Sequence, residues 1–218
     1  MKTLSWLVTL ALAASYNETL TFDSAVIGKT PPGWTAVAGR VEAPPAWKVL
    51  KDPSAPTQPY VLAHVPSAEA GTAFRMAILQ QPVCRDGDIS VKFKPVAGKQ
   101  DQDAGLVWRY RDDNNYYLVR ADAQEKNVAV YKVENGKIVP LTPRGRAANA
   151  YAVNHPVATN AWAILKVVFK GPAFTVYYDH RRILQAQDPT FGGSGKVGLW
   201  TRGDCLTYFD NFRLIRKD

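Results

Sequence analysis

The stretch from Gly105 to Asp122, GLVWRYRDDNNYYLVRAD, predicts a β-hairpin with two chemically different faces. Two alternating runs flank a polar turn at residues 112–115, and side chains alternate between the faces of a strand. If Arg111 and Tyr116 flank the turn as partners, one set of side chains points toward a core. That set is Leu106, Trp108, Tyr110, Tyr117, Val119 and Ala121. The opposite face carries Val107, Arg109, Arg111, Tyr116, Leu118 and Arg120. This second face is either a ligand-binding surface or an ordinary solvated sheet face.

The rest of the chain repeats this pattern of short alternating runs separated by turn residues. Asn135-Gly136 and Gly171-Pro172 mark two further hairpins. Only five of the 218 residues are Glu, and no helix-forming Glu/Lys/Leu run is present. We therefore expect an all-β fold of roughly a dozen strands in a two-sheet antiparallel sandwich. In residues 88–95, alternation points Ile89, Val91 and Phe93 one way and Ser90, Lys92 and Lys94 the other.

The net charge of +8 and the pI near 9.5 permit an anionic partner. Such a partner could be nucleic acid, an anionic membrane or an acidic polysaccharide. The cationic residues are spread singly along strands, and no nucleic-acid-binding motif is visible. We therefore expect no nucleic-acid partner. The sequence leaves the oligomeric state open.

The N-terminus has the pattern of a minimal secretory signal peptide. Lys2 precedes an apolar run at residues 4–14, LSWLVTLALAA, which ends in the small residues Ala13, Ala14 and Ser15. The run is too short for a stable membrane anchor, although a buried first strand or helix is the alternative interpretation.

We expect a signal peptide at residues 1–15 and one domain at residues 16–218, exported to the periplasm or secreted, with no membrane span. Export would permit a disulfide between Cys84 and Cys205. Two free, half-buried cysteines are the equal alternative.

Four stretches of the chain carry a family resemblance. They are GLVWRYRDDNNYYLVRAD, VAVYKVENGKIVPL, WAILKVVFKGPAFTVYYDHRRI and GKVGLWTRGDCLTYFDNFRL. The chain resembles the laminin-G-like branch of the concanavalin A-like lectin/glucanase sandwiches. It is also similar to bacterial exported 3-keto-disaccharide hydrolase-like and family 16 glycoside hydrolase-like domains. The resemblance covers about residues 19–216.

This resemblance implies a jelly roll that meets carbohydrate on one sheet face or at its rim. It also implies a structural calcium ion held by Asp210 on the last strand, together with Asp23 or its neighbouring backbone. A buried carboxylate such as Asp210 needs either hydrogen bonds or a metal. A simple hydrogen-bonding role for Asp210 is therefore the alternative to calcium.

Catalysis by the family 16 mechanism is not expected. Retaining hydrolysis needs two carboxyl groups about 5 Å apart, and the family supplies them through a Glu-x-Asp-x-Glu strand that this chain lacks. Asp101 and Asp103 are the best remaining acidic candidates, although turn-like sequence favours Asp for local hydrogen bonds. A lyase site on an acidic sugar is a second possibility, because Arg109, Arg120, Tyr116 and His155 supply the required residue types.

The leading hypothesis is an exported carbohydrate-binding domain with a cationic, aromatic sheet face. If Val197 and Leu199 face the core, Trp200 and Arg202 share the opposite face. The candidate carbohydrate-binding residues are Arg109, Arg111, Tyr116, Arg120, Trp200 and Arg202. The alternative is a glycoside hydrolase or polysaccharide lyase acting on a modified or acidic sugar. A scaffold or protein-interaction domain is a third possibility, and whether the protein is an enzyme stays open.

Overall fold

The predicted strands form two antiparallel sheets. The computed structural model describes residues 16–38, 47–66 and 73–218, and the expected signal peptide at residues 1–15 lies outside them. The described part of the chain contains 16 strands and no helix. In chain order the strands are β1 (Asn17–Leu20), β2 (Trp34–Val37), β3 (Trp47–Lys51), β4 (Tyr60–His64), β5 (Phe74–Cys84), β6 (Gly87–Ala97), β7 (Asp103–Asp112), β8 (Asn115–Asp122), β9 (Asn127–Glu134), β10 (Lys137–Leu141), β11 (Ala152–Asn154), β12 (Ala163–Lys170), β13 (Ala173–Tyr178), β14 (Arg181–Gln187), β15 (Gly195–Arg202) and β16 (Leu206–Arg216).

Sheet A has the strand order β14-β13-β12-β6-β16-β4-β3, and β1 also pairs with β16. Sheet B has the order β10-β9-β8-β7-β15-β5-β2, and β11 also pairs with β9. The first and last parts of the chain meet in sheet A, since Thr19 of β1 lies opposite Arg213 of β16. This two-sheet antiparallel sandwich confirms the predicted fold class.

The main core lies between the two sheets and is built from alternate residues of each strand. Ile89, Val91 and Phe93 of β6 are buried in it, as their alternation predicts. Trp108 from sheet B stacks on Tyr117 at 5.5 Å between ring centroids, and meets Phe174 from sheet A edge-on at 5.1 Å. These rings join the sheets and leave the outer face of each available for other contacts.

Cys84 and Cys205 are both free and buried in the structure. Burial raises the pKa of the Cys84 thiol to about 12. The structure therefore shows two free cysteines and not the disulfide that the sequence also permitted. No helix in the described ranges has the length and apolar character needed to cross a membrane.

Candidate functional site

A bulge in β7 changes the predicted faces of the central hairpin. Trp108 pairs with Tyr117 and Asp112 pairs with Asn115, so three residues of β7 lie opposite a single residue of β8. Arg109 adopts a positive φ of 49° at this bulge. The alternation therefore shifts by one residue after Trp108. The predicted pairing of residues 111 and 116 is wrong because the connecting turn is tighter than expected.

Arg109 points inward, and its predicted place on the outer face is wrong. Its guanidinium donates to the carbonyl oxygens of Phe191 at 2.7 Å, Gly171 at 2.6 Å and Arg85 at 3.1 Å. It also pairs with the Asp86 carboxylate at 3.3 Å. The Arg109 side chain is 1% exposed, so it ties together loops at one end of the sandwich rather than meeting a ligand.

The bulge also requires a glycine on the neighbouring strand. A Cβ atom on Gly195 of β15 would lie 2.5 Å from the Arg109 carbonyl carbon, which is closer than real contacts allow. Gly195 therefore permits β15 to approach the bulged backbone of β7.

The remaining residues near the turn also differ from the predicted binding face. Tyr110, expected in the core, lies on the outer face with its ring centroid 5.9 Å from that of Tyr116. Tyr116 lies on the outer face as predicted, but it is only 1% exposed. The Arg111 guanidinium is 4.9 Å from the centroid of the Phe191 ring, away from this tyrosine pair. Arg109, Arg111 and Tyr116 therefore do not form one site.

A small groove of about 100 Å³ lies instead farther along the outer face of sheet B. Strands β5, β15, β8, β9 and β10 each place one or two side chains around it. The lining residues are Phe74, Leu118, Arg120, Tyr131, Ile138, Trp200 and Arg202. We call this the sheet-B groove. It brings together Arg120, Trp200 and Arg202 of the predicted site residues.

Trp200 forms part of the wall of the sheet-B groove. Val197 and Leu199 face the core, so Trp200 and Arg202 share the outer face, as predicted. A Cβ atom on Gly105 would lie 3.0 Å from the Trp200 ring, so glycine lets the indole lie close against the sheet. Phe74 meets the indole edge-on at 4.9 Å. Because Trp200 is 1% exposed, it shapes the groove and offers no free ring face.

Arg120 is held by acidic and aromatic neighbours at the groove. Its guanidinium hydrogen-bonds to Glu125 and lies 3.3 Å from the Asp122 carboxylate. It also donates to the Asn127 side chain at 3.1 Å and lies 5.7 Å from the centroid of the Tyr131 ring. Arg120 therefore has a fixed orientation, which is what a pre-formed hydrogen-bonding site requires.

Arg202 forms the second guanidinium–carboxylate cluster of the groove. It lies 2.6 Å from the Asp101 carboxylate and 3.2 Å from that of Asp103. It is also 3.9 Å from both Asp122 and Glu125, so the two clusters are contiguous. Two guanidinium groups thus face four carboxylates, and the groove is not the cationic surface expected from the sequence.

The carboxylates of the groove differ in protonation behaviour. Burial raises the pKa of Asp103 to about 7, and its side chain is inaccessible to solvent. Burial would also raise the pKa of Glu125, but hydrogen bonds from Arg120 and Asn127 hold this pKa below its usual value. The Glu125 side chain is 47% exposed. The carboxyl group that titrates near neutrality is therefore hidden, while the accessible one stays ionised.

The sequence did not indicate the lining residues Phe74, Tyr131 and Ile138, nor Glu125, which binds Arg120 beside the groove. Alternation along β9 places Tyr131 on the outer face and could have identified it. Phe74 begins β5, and Glu125 lies in the turn after β8, where no local pattern indicates a site. The Asp101/Asp103 pair, the best acidic candidate in the sequence, does reach the groove, through its ion pairs with Arg202.

The structure does not bring together the residues of the lyase hypothesis. His155 packs edge-on against Tyr178 at 4.5 Å, whereas Arg120 is bound by Glu125 and Asp122. The Arg109 guanidinium donates its hydrogen bonds to backbone carbonyl oxygens inside the protein. These side chains therefore form no common pocket.

Asp210 is fully buried and is hydrogen-bonded to the backbone. Its carboxylate accepts the amide hydrogens of Thr57 and Asn211, each at 2.7 Å. Burial raises its pKa, and the negative charge of Asp23 adds to that effect. Two nearby carboxylates have the hard oxygens that calcium prefers. Among the described residues, however, no cluster of three or more His, Cys, Asp or Glu could hold a metal ion. The calcium site stays a prediction.

Neither a family model nor a curated protein sequence matches the chain. Solved structures do match it. The carbohydrate-binding module CBM66 from Bacillus subtilis is 23% identical with a TM-score of 0.60, over 83% of this chain and 93% of that one. The chain has a concanavalin A-like jelly-roll fold.

Two further jelly-roll structures are similar at lower identity. Domain 4 of AbnA, an extracellular arabinanase from Geobacillus stearothermophilus in complex with arabinotriose, is 12% identical with a TM-score of 0.59. That match covers 91% of this chain and 90% of that domain. The Bacillus licheniformis beta-glucanase is 12% identical with a TM-score of 0.51, over 95% of this chain and all of the glucanase chain. At these identities the likeness concerns the fold alone.

Proposed function

We propose that the protein is an exported carbohydrate-binding domain that holds a glycan in the sheet-B groove. The observation that carries this proposal is the combination of aromatic walls with fixed guanidinium and carboxylate groups. Sugar hydroxyls can donate to the carboxylates and accept from the guanidinium groups, while C–H faces pack on the half-buried rings of Phe74 and Tyr131. The carbohydrate-binding and arabinanase neighbours support this assignment.

The charge of the groove favours a neutral glycan. An anionic sugar entering it would meet the carboxylate of Glu125, whose pKa lies below its usual value and whose side chain is 47% exposed. Repulsion between the Glu125 carboxylate and the anionic group of the sugar would disfavour binding. The acidic sugar considered from the sequence is therefore not the ligand that we propose for this groove.

Binding is better supported than catalysis. A general acid needs a carboxyl group that is both protonated near neutral pH and in reach of the substrate. Asp103 has a pKa of about 7 but is inaccessible, and Glu125 is accessible but has a lowered pKa. Burial also raises the pKa of Asp101, but its side chain is only 6% exposed and lies 2.6 Å from Arg202. The glycosidase or lyase alternative would therefore need an acid outside this cluster.

The test is a glycan array followed by calorimetry with the best neutral oligosaccharide. Glu125→Gln keeps the shape of the side chain but removes its charge. We expect it to weaken binding by roughly 1.5–3 kcal/mol, about 10- to 150-fold, the range for hydrogen bonds to charged groups. Glu134→Gln, on a β9 side chain that pairs with Lys132, is the matched control and should bind as the wild type does. Equal affinity of the wild type, Glu125→Gln and Glu134→Gln for the oligosaccharide would exclude the sheet-B groove as the glycan-binding site.

Export is tested separately. The N-terminal pattern predicts cleavage between about Ala13 and Tyr16. Intact-mass analysis of protein from the native host should show the shortened chain. A mature chain that begins at Met1 or Lys2 would contradict export by this signal.

A further inference from the structure

The outer face of sheet A carries a row of cationic and aromatic side chains, although the sheet-B groove is acidic. Five residues on adjacent strands are direct cross-strand neighbours. We call them the cationic row: Arg182, Tyr177, Lys166, Ser90 and Arg213. The Lys166 ammonium lies 5.7 Å from the centroid of the Tyr177 ring. Lys166 lies two strands from Arg182 on one side and two strands from Arg213 on the other, or roughly 10 Å in each direction.

A cavity of about 320 Å³ opens along this row. Its walls include Lys166, Arg213, Ser90 and Tyr177 of the row, with the carboxylate of Asp88. The Asp88 carboxylate pairs with two ammonium groups, that of Lys166 at 3.1 Å and that of Lys217 at 2.8 Å. Among the lining residues, one carboxylate, Asp88, therefore stands against the two cations Lys166 and Arg213, and the cavity has an excess of positive charge.

A second cavity, of about 380 Å³, adjoins the first and shares Ile164 with it. Lys92 and Trp162 line this second cavity, together with Asp179, whose carboxylate accepts the Ile164 amide hydrogen at 2.8 Å. The Trp162 indole donates to the Ser54 hydroxyl at 3.2 Å, which fixes the orientation of the ring. The two cavities together form an extended path from Arg213 to Trp162. The path has an aromatic ring at one end.

Several cations of the cationic row and of this path have no carboxylate at ion-pair distance within the described residues. Lys92, Arg182 and Arg213 form none, and Arg213 instead donates to the Asn17 side chain at 3.2 Å. By contrast, Arg120 and Arg202 of the sheet-B groove are both paired with carboxylates. Positive charge that is free to meet a partner therefore lies on sheet A.

We propose that the outer face of sheet A is a second binding surface, for a linear anionic polysaccharide that carries carboxylate or sulfate groups. Cations at two-strand intervals suit charges that repeat along an extended chain, and the two joined cavities have the elongated shape that such a chain needs. The fixed Trp162 ring offers a stacking surface for a sugar. This surface is separate from the sheet-B groove, so it does not depend on the function proposed there.

The test compares dextran sulfate with uncharged dextran, and uses variants matched in charge. Lys166→Gln combined with Arg213→Gln should weaken dextran sulfate binding at least fivefold. Lys29→Gln combined with Lys137→Gln removes the same charge from exposed positions elsewhere and should change it less than twofold. Thermal denaturation of each variant confirms that it is folded. Equal losses in both variants would mean attraction by net charge alone, and would overturn the proposal.

Trp162→Ala supplies a test that does not depend on charge. It should weaken binding of polygalacturonate at least threefold at constant salt, because a stacking surface is lost. Unchanged affinity would contradict the extended path. A single-stranded oligonucleotide serves as competitor, and tighter binding of it than of either polysaccharide would show that the partner class is wrong.

Discussion

Replacing Arg109 with Ala should destabilise the fold and leave glycan binding intact. The guanidinium donates to three carbonyl oxygens at 2.6–3.1 Å and pairs with Asp86 at 3.3 Å. Each hydrogen bond to a charged group contributes about 1.5–3 kcal/mol, but such contributions are not additive. Water can reach the Gly171 carbonyl in the variant because this turn residue is exposed. We therefore expect a loss of about 3–5 kcal/mol, as for a broken buried pair.

Urea denaturation of the wild type and the variant measures this loss directly. Calorimetry should show a melting temperature lower by about 6–20 °C, since each kcal/mol corresponds to about 2–4 °C for a chain of this size. Arg111→Ala is the matched control, because Arg111 is exposed and only covers the Phe191 ring. It should cost about 1 kcal/mol or less. A loss below 1 kcal/mol for Arg109→Ala would refute the structural role, as would a selective loss of glycan binding.

Three further predictions concern the core, protonation and metal. Trp108→Ala should lower the free energy of unfolding by about 3–5 kcal/mol, because it leaves a cavity in the core. Urea denaturation measures this loss, and a loss no larger than that of Arg111→Ala would contradict the place of Trp108 in the core. Burial raises the pKa of Asp103 to about 7. The folded protein therefore keeps the proton that the unfolded chain loses near pH 4, and the free energy of unfolding falls by up to about 4 kcal/mol as the pH rises from about 4 to about 7. Asp103→Asn should remove that pH dependence, and an unchanged dependence would contradict the shifted pKa. Calcium should raise the melting temperature of metal-free protein through Asp210, whereas identical curves with calcium and with chelator would exclude the metal.

Alternation predicts the sheet faces wherever the strands are regular. In β6 it separates Ile89, Val91 and Phe93 from the outward lysines, and in β15 it places Trp200 outward. It fails in β7, because a bulge reverses every later side chain of the strand and leaves no mark in the pattern of residue types. The error at Arg109 is therefore one of register.

The acidic character of the groove could not be read from the sequence. Arg202 is about 100 residues from Asp101 and Asp103 along the chain, and the pairing of β15 with β7 is what brings them together. Arg120 and Glu125 are only five residues apart, but the turn after β8 has to close for them to pair. The alternation of arginines along residues 105–122 predicted a cationic face. The fold instead neutralises these guanidinium groups and leaves free cations on the opposite sheet.

Glycan binding in the sheet-B groove is tested most directly by a titration of ¹⁵N-labelled protein with the neutral oligosaccharide selected by the array. Tryptophan indole N–H signals report the two sheets separately, because Trp200 borders the sheet-B groove and Trp162 lies on sheet A. We expect shifts of the Trp200 indole and the Tyr131 amide, with the Trp162 indole unchanged. Shifts confined to Trp162, or no shifts with any neutral glycan, would contradict glycan binding in the sheet-B groove.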